Sequence, residues 1–470
     1  MQTIEADYLV VGAGAMGMAF VDTLITETDA TVVLVDRNDQ PGGHWLTAYP
    51  FVRLHQPSAY YGVNSRRLGN DSIDASGWNE GFYELAGGSE VVAYYDTVMR
   101  QHLLPSGRVT YFPMSEYLAD VDGAARIRTL GGGDYRVEVR RRTVDATYLS
   151  VIVPSMRPPL YDVADGVTCI PPNGLPRAPV HDRYVIVGAG KTAMDSCSWL
   201  MRHGIAPKRI TWIKPRESWV LDRAVVQPGH QFARRVLADF SAQSRAIKQA
   251  TSIDDLYLKL EKFGCLMRID ETVEPTMYRC AILSQAELEN LRLITDVVRM
   301  GHVRSVEPGR IALDDGTLDT DPSALYVDCT GDGIGLREAT PVFSPGAITL
   351  QSVRTCQPAF SAAVTARIEA MDADDDTKND YCWPVEHPTN PIDWLTMSVA
   401  FNHNQLRWFD DPELMAWLNR ARLNAVSHMQ SGDEDAAAGA AVVAPRLRAA
   451  NEKLEELLSS TRLNSAGTPS

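Results

Sequence analysis

Two glycine clusters carry the chemistry most readily read from this chain. The first is Gly12-Ala13-Gly14-Ala15-Met16-Gly17; the second is Gly188-Ala189-Gly190-Lys191-Thr192-Ala193. Glycine at these spacings permits a tight turn, lets a diphosphate approach the backbone, and lets a helix pack against a strand. The peptide N–H groups that follow then face the phosphates, at the positive end of the helix dipole. Ala193 in the third position of the second cluster is a permitted variant. The chemistry implied is the holding of two dinucleotides.

The flanking elements have the order such sites need. Each cluster follows a short apolar run, Tyr8-Leu9-Val10-Val11 or Tyr184-Val185-Ile186-Val187, which reads as a buried parallel strand. Helices are expected from Met18 to about Thr26 and from about Lys191 to His203. The next strand of the first unit, Thr31 to Val35, ends at Asp36-Arg37. A carboxylate there accepts hydrogen bonds from a ribose hydroxyl. The matching strand of the second unit, Arg209 to Ile213, ends instead in Lys214-Pro215-Arg216. Basic groups at that place attract a 2′-phosphate, which favours NADPH over NADH; ordinary solvated charges are the plain alternative. The pair expected is FAD on the first cradle and NADPH on the second.

Composition narrows the classes. The chain has 470 residues and a formal charge of −15. That charge argues against a nucleic-acid partner. No apolar stretch approaches a membrane span, and the first strand begins too early for a signal peptide, so a cytoplasmic protein is expected. Seven scattered cysteines form no close pair, so most are expected to be reduced, packed thiols, with no metal site and no dithiol centre.

The fold class expected is α/β with two Rossmann-like domains. The FAD domain is discontinuous and the NADPH domain is inserted into it. Residues 1–155 form the first part of the FAD domain, with a half-buried strand at Arg136–Arg140 and an apolar strand from Ala146 to Val153. Residues 156–322 form the NADPH domain, with a helical insertion over about 225–300. Residues 323–430 complete the FAD domain; the aromatic-rich stretch Cys382–Trp417 either closes the pocket or forms a subunit contact in a homo-oligomer. Residues 431–470 read as a flexible tail with one helix, Pro445–Leu458. The loop Gly331-Asp332-Gly333 follows an apolar strand; Asp332 either meets a ribityl hydroxyl or serves only the turn.

Over residues 1–370 the chain resembles flavin-containing monooxygenases and the wider group of two-dinucleotide-domain flavoproteins. Beyond the cradles, the resemblance rests on Gly42-Gly43-His44-Trp45, on Tyr49-Pro50-Phe51-Val52-Arg53-Leu54-His55 and on Asp328-Cys329-Thr330-Gly331. It implies that Gly43, His44 and Trp45 run beside the flavin and that the Tyr49 segment approaches its ring. Arg53, His55, Gln56 and Tyr60 then become the candidate catalytic side chains. Arg53 would stabilise negative charge, His55 would move a proton near neutral pH, and Gln56 would hydrogen-bond a cofactor amide; packed roles for His55 and Tyr60 stand beside these. The stretch Thr168–Asp182 lacks the Phe-x-Gly-x-x-x-His fingerprint of such monooxygenases, and Val153-Pro154-Ser155 stands where an Ala-Thr-Gly-like turn is expected. Three functions follow in order. The first is an NADPH-dependent monooxygenase that uses O2 on a small organic substrate. The second is a dehydrogenase or reductase without oxygen insertion. The third is a cofactor-binding protein without turnover.

Overall fold

The computed structural model describes residues 2–119, 125–331, 333–335, 337–425, 427 and 433–466. Its first sheet has a parallel centre. In spatial order the strands are Val109–Phe112, Val32–Val35, Gln2–Val11, Asp134–Asp145 and Ala347–Thr349. The last of these is reached only after the whole second unit, so the first domain is discontinuous. Val32–Val35 is buried at every residue, as a strand covered on both faces must be. One cover is a pair of helices, Ala15–Glu27 and Pro358–Glu369, which pack on each other and are buried almost all round.

The second sheet is parallel throughout. Its order is Val297–Val298, Ile210–Ile213, Tyr184–Val187, Leu325–Asp328 and Cys169–Ile170. In both sheets the strand that feeds the glycine cluster is central, so each cradle opens at a crevice at the carboxyl ends of the strands.

Three elements depart from the sequence reading. The region 225–300 is only partly helical: helices His230–Gln249, Ile253–Lys262 and Gln285–Leu291 are joined by strands Leu266–Met267 and Met277–Leu283. Those strands pair with Ser218–Asp222 in a small sheet. Met277–Leu283 is a short apolar run, a pattern that periodicity cannot divide between helix and strand. The expected helix Pro445–Leu458 lies within a longer one, Asp433–Ala466, whose Leu454 and Leu457 are buried against Trp394, Leu395 and Leu256. The strand expected over Ala146–Val153 is only Val151–Ile152, whereas Asp134–Asp145 is one continuous strand.

Candidate functional site

Each glycine of the first cradle meets a distinct constraint. Gly12 adopts φ +103°, a left-handed value that favours glycine. A Cβ on Gly17 would lie 1.9 Å from the Gly12 carbonyl oxygen, so the helix could not pack as it does with any side chain there. Gly14 faces only the backbone of Gly43, whose Cα lies 3.5 Å from where a Cβ on Gly14 would sit. At the second cradle Gly188 has φ +131°, and a Cβ on Gly190 would meet no atom within 4 Å. Among the described residues, no side chain comes within 4 Å of where a Cβ on Gly14 or Gly190 would sit.

The two cradle helices also start bare. Gly14 and Gly190 are their N-caps, and neither offers a side-chain acceptor. Ser252, Ser284, Asp374, Asn390 and Asp411 each accept a first-turn N–H in their own helices, whereas Gly229 and Gln357, like the cradle glycines, do not. Unsatisfied helix-start donors need water or an anion. The residues present therefore fit a dinucleotide diphosphate at each cradle.

Asp36 ends its strand as expected. One carboxylate oxygen accepts from the Ala13 N–H at 2.6 Å and the other from Asn38. The acid thus shapes the cradle loop itself. Met16 is buried behind that loop, whereas Arg37 is exposed. Trp45 donates its indole N–H to the Tyr61 hydroxyl at 2.7 Å. His44 is half-buried, and burial pushes its pKa down to about 4.

The basic pair of the second unit divides. Lys214 is not available to a 2′-phosphate: it is 1 % exposed, 2.8 Å from the Glu217 carboxylate and over the Trp212 ring. Burial pushes its pKa down while Glu217 opposes the fall. Arg216 is half-buried and remains the candidate. Thr192 and Lys191 lie in the first turn of the helix, where Lys191 is ion-paired with Asp195, and Ala193 is fully buried.

An internal symmetry was missed in the sequence. Asp145 accepts from both the N–H and the hydroxyl of Thr147, and Asp328 does the same for Thr330. Each Asp-x-Thr turn touches its own cradle: Thr147 lies against Gly12, and Cys329 against Gly188. The turn sought at Val153-Pro154-Ser155 is therefore Asp145-Ala146-Thr147. The repeat of Asp-x-Thr at two strand ends was the available signal. Gly331 abuts Pro154, and Asp332 lies outside the described residues.

The Tyr49–His55 segment of the first domain lies across the second unit. Tyr49 donates to Asp195 at 2.8 Å, Phe51 stacks on Trp199 with centroids 5.2 Å apart, and the His55 carbonyl accepts from Arg223 at 3.2 Å. Arg223 is itself fully buried and paired with Glu287 at 2.6 Å. Burial alone would raise the Glu287 pKa, but Lys191 and Arg223 hold it low. Among the described residues, His55 Nδ1 is sealed from solvent without a partner. Burial first, then Lys191 and Arg223, push the His55 pKa down to about 3. His55 is therefore a neutral imidazole near neutral pH, with one ring N–H and no second proton to give up there, contrary to the expectation.

The other three candidates scatter. Arg53 is exposed, pairs with Asp74 at 3.6 Å and donates to the Leu85 carbonyl, so its charge is spent at the surface. Gln56 is half-buried. Tyr60 is 2 % exposed, and its hydroxyl reaches the Ala425 carbonyl at 3.4 Å, which is a packed role.

Residues 10–64, which hold the first cradle, match the NAD(P)-binding Rossmann-like domain family. Uncharacterized protein Rv2000 of Mycobacterium tuberculosis (strain ATCC 25618 / H37Rv) is 56% identical over 428 residues, covering 91% of this chain and 79% of that protein. Uncharacterized protein Mb2023 of Mycobacterium bovis matches to the same extent. The chain belongs to their family. Among solved structures it is similar to a closed cyclohexanone monooxygenase, with TM-score 0.49, 16% identity, and 94% and 98% of the two chains covered. It is also similar to a flavin-containing monooxygenase from Stenotrophomonas maltophilia, with TM-score 0.47, 16% identity, and 81% and 100% covered.

Two further features of this family member had no sequence signal. A cavity of about 550 Å³ is lined by Tyr148, Leu149, Ser352 and His387 among others. Ser352 Oγ and His387 Nε2 have no partner among the described residues, and burial pushes the His387 pKa down to about 4. Cys280 and Cys356 form a disulfide across 76 residues of sequence, a pairing the sequence reading does not contain; the other five, Cys169, Cys197, Cys265, Cys329 and Cys382, are free thiols. Spacing revealed nothing because the fold, not the local sequence, brings the pair together.

Proposed function

We propose that this chain is an FAD- and NADPH-dependent oxidoreductase, a monooxygenase that transfers one oxygen atom from O2 to a small organic substrate. One observation carries the reading: two bare helix starts, on two parallel sheets, are bridged by Tyr49, Phe51 and His55. Bound together, the two cofactors would supply hydride transfer and oxygen activation.

The chain's own residues would hold and order them. The first-turn N–H groups after Gly14 and Gly190 bind the diphosphates. Asp36 keeps acceptor capacity for a ribose hydroxyl, since ionised carboxylates take several bonds. Lys191, held by Asp195, places positive charge at the junction. His55 Nδ1 offers one hydrogen-bonding position there without changing charge. Tyr49, Phe51 and Trp199 exclude water along the seam. Arg216 is the residue assigned to the 2′-phosphate.

A dehydrogenase or reductase without oxygen insertion is the second reading. The absence of the monooxygenase fingerprint favours it. In its place Asn173, in the turn Pro172–Arg177, donates to the carbonyls of Thr47 and Ala48. A cytoplasmic location belongs to the same proposal; no helix among the described residues is long and apolar enough to cross a membrane.

The test is spectroscopic. The purified chain should be yellow and bleach on anaerobic addition of NADPH. Admission of O2 with substrate should then consume O2 and yield oxygenated product in equal amounts. A colourless protein that FAD cannot load overturns the reading. Reoxidation that gives only hydrogen peroxide across a broad substrate panel favours the second.

A further inference from the structure

Four basic side chains are buried among the described residues: Lys214, Arg223, Arg354 and Lys378. Three have a carboxylate at 2.8 Å or less, namely Glu217, Glu287 and Glu369. Arg354 has none among the described residues. It is 8 % exposed, and among the described residues the titratable group acting on it is the Tyr60 phenol. An unpaired buried cation is strongly unfavourable unless something supplies the missing charge.

Its surroundings are ordered but incomplete. One guanidinium nitrogen, Nη1, donates to Asn424 Oδ1 at 2.9 Å. The guanidinium lies 5.2 Å from the ring centroids of both Phe360 and Phe401. Guanidinium has five N–H donors, so most of its capacity is unused by side chains. The loop that carries it is pinned at three backbone positions. The Arg354 N–H donates to Ser361 Oγ, the Val353 carbonyl accepts from Asn404, and the Ser352 carbonyl accepts from Val385.

The same loop holds two buried side-chain atoms without a partner among the described residues, Ser352 Oγ and Gln357 Oε1, on residues 3 % and 9 % exposed. Ser352 Oγ can donate to an absent acceptor, whereas Gln357 Oε1 only accepts and needs a donor. The loop leaves the carboxyl end of strand Ala347–Thr349, the edge where ligands of such sheets bind, and Ser352 lines the cavity described above. Gln357 is the N-cap of helix Pro358–Glu369 and makes no side-chain capping bond.

We propose that Arg354 anchors a carboxylate carried by the substrate. A planar guanidinium edge matches a carboxylate in two parallel hydrogen bonds. A single buried cation between phenyl rings suits one negative charge, not a phosphate dianion. The proposal deepens the oxidoreductase reading by naming the substrate class, and rests on it.

Calorimetric titration of the full chain with benzoate and with its neutral isostere benzamide tests this. Benzoate should bind at least about ten-fold more tightly, the scale of a charged hydrogen-bond pair. Arg354→Met should bind the two alike, and Arg354→Lys should recover part of the preference. The Met variant should fold, since apolar replacement of a buried ion is often tolerated; its thermal melt checks that. Equal affinity of the wild type for both probes overturns the proposal without any variant, and so does a preference that survives in Arg354→Met. A lowered flavin midpoint potential in Arg354→Met, with no wild-type preference for benzoate, would instead assign the charge to the reduced cofactor. If the chain binds no flavin, the functional reading fails, while the two probes still report on Arg354.

Discussion

The Tyr49 hydroxyl donates to Asp195 at 2.8 Å, joining the first nucleotide unit to the cradle helix of the second. The other oxygen of Asp195 holds Lys191. Burial, and then Asp195, push the Tyr49 phenol pKa well up, so it stays a donor at any working pH. The position of Lys191 is thereby tied to the chain that follows the first cradle.

Removing that bond should loosen the junction without emptying it. Tyr49→Phe keeps the ring against Phe51. It should cost about 1–2 kcal/mol, the scale of a partly buried hydrogen bond to a charged group. Urea denaturation measures the loss. The Michaelis constant for NADPH should rise more than kcat falls; an unchanged constant would show that the bond serves stability alone.

Two glycine substitutions separate packing from ligand approach. Gly17→Ala places a methyl carbon 1.9 Å from the Gly12 oxygen and should prevent the first domain from folding normally, read as lost soluble yield or a much lower melting temperature. Gly190→Ala meets no atom within 4 Å and sits at φ −83°, so the fold should be unchanged. Its methyl group would occupy the diphosphate path, and nicotinamide cofactor affinity should fall about ten-fold or more. Normal affinity in Gly190→Ala would remove the second cradle from the proposal.

Lys214 and Arg216 should respond differently to truncation. Arg216→Ala should raise the Michaelis constant for NADPH far more than for NADH, with stability little changed. Lys214→Ala leaves Glu217 buried beside Arg299 alone and removes a packed chain from the Trp212 face. Its expected signature is destabilisation of about 1–3 kcal/mol by chemical denaturation, without cofactor discrimination. Equal effects of Arg216→Ala on both cofactors would withdraw the 2′-phosphate role.

Much of this site was legible because its constraints are local. Gly12, Gly17 and Gly188 are dictated by turn and packing geometry within a strand–turn–helix unit, and Asp36 by its place at a strand end. What was hidden depends on tertiary placement. Lys214 and Arg216 differ by two positions in sequence, yet one points into a core and the other does not. His55 was read from its unperturbed pKa, which holds only in water. Arg354 carries no motif at all; its interest comes from a missing partner, which only the fold reveals.

Acid should weaken the fold through three partly buried histidines. Burial lowers the folded-state pKa of His44 to about 4, of His55 to about 3 and of His387 to about 4. In the unfolded chain each titrates near 6.5. Between those values the unfolded chain binds more protons, so stability rises with pH there. It is fully present above about pH 6.5 and is lost progressively as pH falls toward 3–4. Urea midpoints taken from pH 7 to pH 4.5 should therefore decline, and a His55→Gln variant should decline less. The rate of flavin reduction by NADPH should show no His55 ionisation between pH 6 and 8; a limb in that range that vanishes in His55→Gln would contradict the neutral imidazole.

The Cys280–Cys356 bond makes a chemical prediction independent of any cofactor. Cys280 lies on the strand Met277–Leu283 beside the second unit, whereas Cys356 stands just before the helix that backs the first cradle. Both hold left-handed backbone, φ +53° and +50°, which is costly for non-glycine residues and persists only where surroundings enforce it. The bond anchors the loop that carries Ser352 and Arg354 and is followed by Gln357, so its loss should free that loop before it frees either sheet. Alkylation of aerobically purified, denatured protein should label the five free cysteines, and two more only after reduction. Cys356→Ser should leave the parallel sheets intact by circular dichroism while lowering the melting temperature by several degrees, since a cross-link of this span restricts the unfolded chain. Labelling of all seven cysteines without reductant would show that the two sulfurs are neighbours and not a bond.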